Sequence, residues 1–349
     1  FHQCFLIFHT TRGVSITDSR FLIVFAVILL PLLCGMGCRR WGLSKDILHW
    51  IIKANVVGVS TFLSIVSFWS VQVTAELLWL PISTLPICFM PVAVFYALER
   101  HRFSDAREQG SYLISMMLGN IGTLAGLCAY VLFGAVGFAY VQLIAVPQIL
   151  IIVLFCFPMS QYYYDKWANH GEGKKMEIHL LRLLCTWNQL PAVGVVIGLT
   201  LAGLGVEKPQ AVTTLFTILI HAGAWMGMVP VGYDLNLSAA KEYGGRLWPI
   251  FPVKFILLPA VMYFLTSVFV SDATILTCVV LAAAAPTAIF AVASSQLYGL
   301  NVNLAESSFL TTTLAFLFVL YPVIYWWEKK NSECGLVVRR IKNRSDAEV

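Results

Sequence analysis

Charge is scarce in this chain. Asp, Glu, Lys and Arg make up 12% of its 349 residues, against roughly 25% in soluble domains. No CxxC pair occurs among the nine cysteines, which are scattered mostly within apolar runs. Cys34 and Cys38 stand at helical spacing without acidic or His ligands nearby, so packing accounts for them better than metal or redox chemistry. No HExxH and no GxSxG is present, which removes the common zinc-protease and serine-hydrolase signatures. A Gly-rich phosphate loop is also missing, which argues against ATP-driven work by this chain alone. His170 and His179 flank Glu172 and Glu177 in a polar stretch, a pattern that fits a solvated surface better than a metal site. The expectation is therefore no enzyme, no cofactor and no metal. No cleavable signal peptide is evident after Phe1.

Apolar residues are what the chain has in excess, at 59%, with mean hydropathy +0.79. They fall in ten runs of about 20 residues, each long enough for a ~30 Å hydrocarbon core. The runs are 21–38, 47–70, 77–98, 112–133, 137–157, 181–204, 210–234, 247–270, 274–298 and 304–327. The expected fold is an all-α polytopic membrane protein with ten transmembrane helices. The expected parts are an N-terminal segment 1–20, a first five-helix repeat 21–157, a cytoplasmic loop 158–180, a second repeat 181–327 and a tail 328–349. Five spans per half imply that the halves insert with opposite topology.

Net charge is +5, but the basic residues lie in loops between apolar runs, so nucleic acid is not an expected partner. One set of loops holds Arg39, Arg40, Lys45, Arg100, Arg102, Arg107, Lys166, Lys174, Lys175, Arg182, Lys241 and Arg246, while the opposite loops hold only Lys208. The positive-inside rule makes the first set cytoplasmic and puts both termini outside. The tail, with Lys329, Lys330, Arg339, Arg340, Lys342 and Arg344, pulls the other way.

Two apolar runs are interrupted at matching places. The first break is Gly119-Asn120-Ile121-Gly122 and the second is Ala284-Ala285-Pro286-Thr287. Both runs end alike, in Leu132-Phe133-Gly134 and in Leu297-Tyr298-Gly299, at an offset of 299 − 134 = 165. The same offset carries Pro286 onto Ile121. Glycine and proline weaken or remove helical hydrogen bonds. In lipid the freed groups need partners from protein or from a watery cavity. Paired interrupted spans point to the binding site of a secondary transporter. Half-helix N-termini near the midplane offer free N–H groups and partial positive charge, which suit an anion.

These residues resemble the auxin efflux carrier family, which includes plant PIN-like carriers and bacterial malonate-type carriers. The first break with Leu132 to Gly137 is similar to that family's fourth helix. The stretch from Ala284 through Ala293, with Tyr298-Gly299, is similar to its ninth. Leu43-Ser44-Lys45-Asp46 and Lys254 with Pro259 also fit. The resemblance covers about 21–327. It implies two inverted five-helix repeats, broken helices four and nine crossing at the midplane, and transport of small organic anions. Many family members have a proline in the first break, where this chain has Gly and Asn. The second break lacks the Asn or acidic residue expected of sodium-coupled relatives.

The expected substrate-binding residues are Gly119, Asn120, Gly122, Thr123, Pro286, Thr287, Asn55 and Lys254. Lys254 has two readings, as a charge serving the substrate or as an ammonium snorkelling to the surface. His221 and Asp234 are candidates for proton coupling. The expected function is an efflux carrier or facilitator for small carboxylates, with alternating access around the crossing. Rivals are a cation/proton antiporter or sodium-coupled symporter of the same fold, and a non-transporting receptor on a carrier fold. Expected partners are the organic anion and the bilayer, with a homodimer left open. The expected location is the plasma (inner) membrane.

Overall fold

The computed structural model describes residues 19–69, 71, 74–168, 190–235 and 242–330. Its helices are α1 (Ser19–Arg40), α2 (Lys45–Phe68), α3 (Ala75–Glu99), α4 (Ala106–Met117), α5 (Ile121–Ala168) and α6 (Leu190–Gly203). They continue as α7 (Gln210–Asp234), α8 (Ile250–Phe269), α9 (Ala273–Ala283), α10 (Ile289–Leu297) and α11 (Val302–Lys330). Seven of them, α1, α2, α3, α5, α7, α8 and α11, are long and apolar enough to cross a membrane, and α6 and α9 are shorter apolar helices. No strand is present among the described residues. A single isolated antiparallel bridge joins Gly119 to Thr287. Large apolar side chains such as Leu33, Ile218, Phe264, Phe318 and Val323 stand on the outer surface, as a lipid surround requires.

The 48 residues of α5 would measure about 72 Å if straight, more than twice a membrane core. Gly134 prevents that. Its φ of 68° and ψ of −152° lie where side chains are disfavoured, and the helix turns back there. A Cβ placed on Gly137 would sit 2.5 Å from the Ala129 carbonyl oxygen, so the two arms touch directly behind the bend. Gly299, at φ 67°, makes the matching turn between α10 and α11.

The helices sort by packing into two groups. In the first, α1 lies along α7, and α2 lies along α6 and against α7. Contact there is backbone to backbone. A Cβ on Gly35 would fall 2.1 Å from the Val229 carbonyl oxygen, and one on Gly232 would fall 2.1 Å from that of Leu32. A Cβ on Gly194 or Gly198 of α6 would fall 2.7 or 2.5 Å from a carbonyl oxygen of α2, that of Thr61 or Ile65. Small residues permit such approach, which is how helices in lipid gain dispersion contact. In the second group, α5 packs on α3 and α9, α8 packs on α3 and α9, and α4 packs on α10, α11 and the far arm of α5. Both arms of α5 join the groups beside the bend, with Tyr130 of the first arm and Phe138 of the far arm against Phe216 of α7.

The far arm of α5 runs on through Ala168, past residue 157, where hydropathy ended the fifth span. Tyr163 and Asp165 are buried there, and Trp167 stacks under the Arg107 guanidinium at 4.0 Å. Residues 169–180, the start of the second repeat at 181–189, the N-terminal 1–18 and the tail from 331 lie outside the described residues.

One end of the molecule is rich in charge. Arg246 pairs with Glu108 at 2.6 Å and lies over Phe103, while Arg102 donates to the Arg246 carbonyl at 2.9 Å. Asn301 donates to the Tyr243 hydroxyl at 2.9 Å, and burial pushes that hydroxyl's pKa up. Arg39 reaches the Leu235 carbonyl at the ends of α1 and α7.

Candidate functional site

The two breaks meet each other. Asn120 N–H donates to the Pro286 carbonyl at 2.7 Å, and Ala288 N–H donates to the Leu118 carbonyl at 3.0 Å. This pair of bonds is one rung of an antiparallel ladder, made where both chains have left helical geometry. Each break therefore satisfies part of the other's backbone, in place of the water that a surface loop would use.

Side chains take up further carbonyls of the first break. Lys254 Nζ donates to the Leu118 carbonyl at 2.9 Å. Gln148 Nε2 donates to the Gly119 carbonyl at 2.9 Å and Gln142 Nε2 to the Gly122 carbonyl at 2.7 Å. Ala125 N–H reaches the Asn120 carbonyl at 3.3 Å. Leu118 ends α4, so the Lys254 ammonium stands at the negative pole of that helix, where a cation is favoured.

The donors are treated differently. Several helices start under a side-chain cap: Ser44 for α2, Asp105 for α4, Asp272 for α9 and Asn301 for α11. No side chain caps the start of α5 at Asn120 or of α10 at Ala288. α3 and α7 also start uncapped, after Thr74 and Pro209, but both residues are exposed and water can serve them. At Asn120 burial is 94% complete, since 6% remains exposed. Its side-chain Nδ2 is buried with no partner among the described residues, which leaves an amide donor in the same place as the free N–H groups. The first turn of α5 is a π-turn, Ile121–Ala125, so its opening N–H groups have no partner within the helix.

Thr287 is sealed. Its N–H donates to Thr312 Oγ1 at 3.0 Å and its hydroxyl donates to the Ser115 carbonyl at 3.0 Å. It ties α4, α10 and α11 together. Pro286 is buried as well, whereas Gly122 and Thr123 remain partly exposed. The open edge of the crossing is thus on its first half.

Lys254 is 2% exposed. It does not snorkel, and a π-turn over Val253–Leu257 carries it to the crossing. Asn55, His221 and Asp234 lie elsewhere. Asn55 Nδ2 donates to the Gly223 carbonyl at 3.1 Å and ties α2 to α7. His221, also on α7, faces the Tyr130 ring with centroids 6.1 Å apart, and its Nδ1 is buried without a partner among the described residues. Asp234 is exposed at the end of α7. Gln142 and Gln148 were not singled out by sequence. Their only signal is that they are carboxamides inside an apolar span. Among the described residues no group of three or more His, Cys, Asp or Glu is placed to hold a metal.

With no strand and seven apolar helices of membrane length among its described residues, the chain is an integral membrane protein. Residues 19–325 match the membrane transport protein family, and the chain belongs to that family, the family of the auxin efflux carriers. A search of curated proteins returned no match. Membership makes the chain a membrane transporter.

Proposed function

We propose that the chain is a secondary transporter, an efflux carrier or facilitator, for small organic anions such as carboxylates. One observation carries the reading. The carbonyls of the first break are occupied by Lys254, Gln148, Gln142 and backbone N–H groups, while the α5 N-terminus is uncapped and the Asn120 amide nitrogen is buried without a partner. A buried spot supplied with unused donors and a nearby ammonium is electrostatically suited to a carboxylate. Asn120 and the backbone of Ile121, Gly122 and Thr123 bind the anion. Thr287 and Pro286 shape the crossing, and Lys254 holds it while supplying positive potential.

The architecture in this reading is ten passages in two inverted five-helix repeats. α4 with the first arm of α5 forms the fourth passage, the far arm of α5 the fifth, and α9 with α10 the ninth. Matching features support the repeat: positive φ at Gly134 and Gly299, and again at Gly42 and Gly205, with π-turns at Ile152–Cys156 and Phe316–Leu320. The group of α1, α2, α6 and α7 serves as a frame. The group holding the crossing moves against it and opens the site to each side in turn. The charge-rich end faces the cytoplasm, and the plasma (inner) membrane is the assigned location.

The test is uptake of a panel of radiolabelled organic acids into proteoliposomes, with and without a pH gradient. Saturable uptake of one or more carboxylates, weakened at least tenfold by Asn120→Ala at equal protein content, is the expected result. Uptake of cations alone would overturn the reading.

A further inference from the structure

Gln142 lies on the far arm of α5, opposite the start of the same helix. Its Nε2 donates to the Gly122 carbonyl at 2.7 Å. The carboxamide occupies a groove that two glycines leave open. A Cβ on Gly122 would meet Oε1 at 3.5 Å, and a Cβ on Gly126 would meet Nε2 at 3.2 Å. A carboxamide carries two N–H donors and an acceptor oxygen. With one N–H fixed on Gly122, the oxygen is turned away from that carbonyl, and no donor among the described residues bonds to it. Gln142, Gly122 and Thr123 are all partly exposed, on the open edge of a crossing that is otherwise closed.

Gln148 shows the contrast. It makes the same bond to Gly119 but is 7% exposed, so less of it is open to a ligand. Gln142 is anchored in the same way and remains accessible. An acceptor oxygen thus lies against the Gly122–Gly126 face of α5, the helix whose start at Asn120 is uncapped. A carboxylate alone fills the donors and leaves this oxygen facing like charge. A carboxylate that also carries an O–H or N–H fills both.

We propose that Gln142 is a specificity-determining residue that accepts a hydrogen bond from an O–H or N–H on the carboxylate substrate. The substrates of choice are therefore hydroxy acids or N–H-bearing acids, ahead of plain carboxylates of the same size. The proposal rests on the anion-transport reading above.

Lactate and propionate differ by one hydroxyl and serve as probes in proteoliposome uptake. The wild type should prefer lactate in kcat/KM by roughly tenfold, the scale of one neutral hydrogen bond. Gln142→Met keeps length and removes the polar atoms. It should bring the ratio to about one while propionate uptake persists. Gly126→Ala crowds the amide from the other side and should lower the ratio without touching Gln142. Equal use of both acids by the wild type, or an unchanged preference in either variant that transports, overturns the assignment of Gln142 alone. Uptake of neither acid by the wild type defeats the carboxylate reading and this inference together.

Discussion

Lys254 is a buried ammonium bonded to the Leu118 carbonyl, and among the described residues no carboxylate forms an ion pair with it. Carrying it into a membrane helix costs at least ~2.5 kcal/mol on insertion scales. A group that only tied helices would do so more cheaply as an amide. Lys254→Met should therefore leave thermal stability equal or higher, yet raise KM for the transported anion about tenfold or more. Lys254→Arg, which keeps the charge with a different geometry, should retain part of the affinity. Uptake kinetics beside a thermal melt of each purified variant check this. Wild-type KM in the Met variant would make Lys254 a structural tie. Sequence alone left Lys254 with two readings, because helical position gives depth only approximately, and the π-turn that carries it inward is not written in composition. Gln142 and Gln148 were illegible for a related reason. Their partners are backbone carbonyls of another segment, and no side-chain motif records such a pairing.

At the scale of elements, the breaks were legible because they recur at matching positions in two halves whose runs end in similar triplets, Leu132-Phe133-Gly134 and Leu297-Tyr298-Gly299. The turns at Gly134 and Gly299 were legible as a repeated triplet. That the breaks hydrogen-bond each other was not, since the bridge from Gly119 to Thr287 uses only backbone atoms. The helix α5 continues to Ala168 beyond residue 157, where the sequence ended the fifth apolar span, because hydropathy records the apolar stretch and not the helix end. Its last turns bury Tyr163 against Gly110, where a Cβ would come within 2.8 Å. Close backbone approach also governs α1 and α7. Gly35→Ala or Gly232→Ala places a methyl against a backbone oxygen that cannot move alone. Overpacking of this kind costs about 1–3 kcal/mol, so each variant should melt several degrees lower, and their double variant should cost less than the sum because the helices part once. A thermal melt of the three variants reads this directly. Transport per folded molecule should hold up better than stability, since neither glycine belongs to the crossing.

At the scale of the whole molecule, the bonds between loops define two ends. One end gathers Arg39 with Leu235, Arg102 with the Arg246 carbonyl, Arg246 with Glu108, Arg107 with Trp167, and Asn301 with Tyr243. The other gathers Trp69 with Val206, Glu76 with Ser271 and Asp272, and Thr277 with Glu328. The first set is rich in arginine, while the second holds Glu76, Asp272 and Glu328, with Lys329 and Lys330 following Glu328 in the chain. The proposed orientation puts the first end inside, because basic residues near helix ends tend to stay cytoplasmic during insertion. Gly245 lies in the first set, exposed and with nothing within 4 Å of a Cβ placed there, and Glu207 lies exposed in the second. In a background lacking reactive cysteines, Glu207→Cys should react with an impermeant maleimide in intact cells. Gly245→Cys should react only after the cells are opened. The reverse pattern would invert the molecule, and the uncapped start of α5 would then be approached first from the opposite compartment.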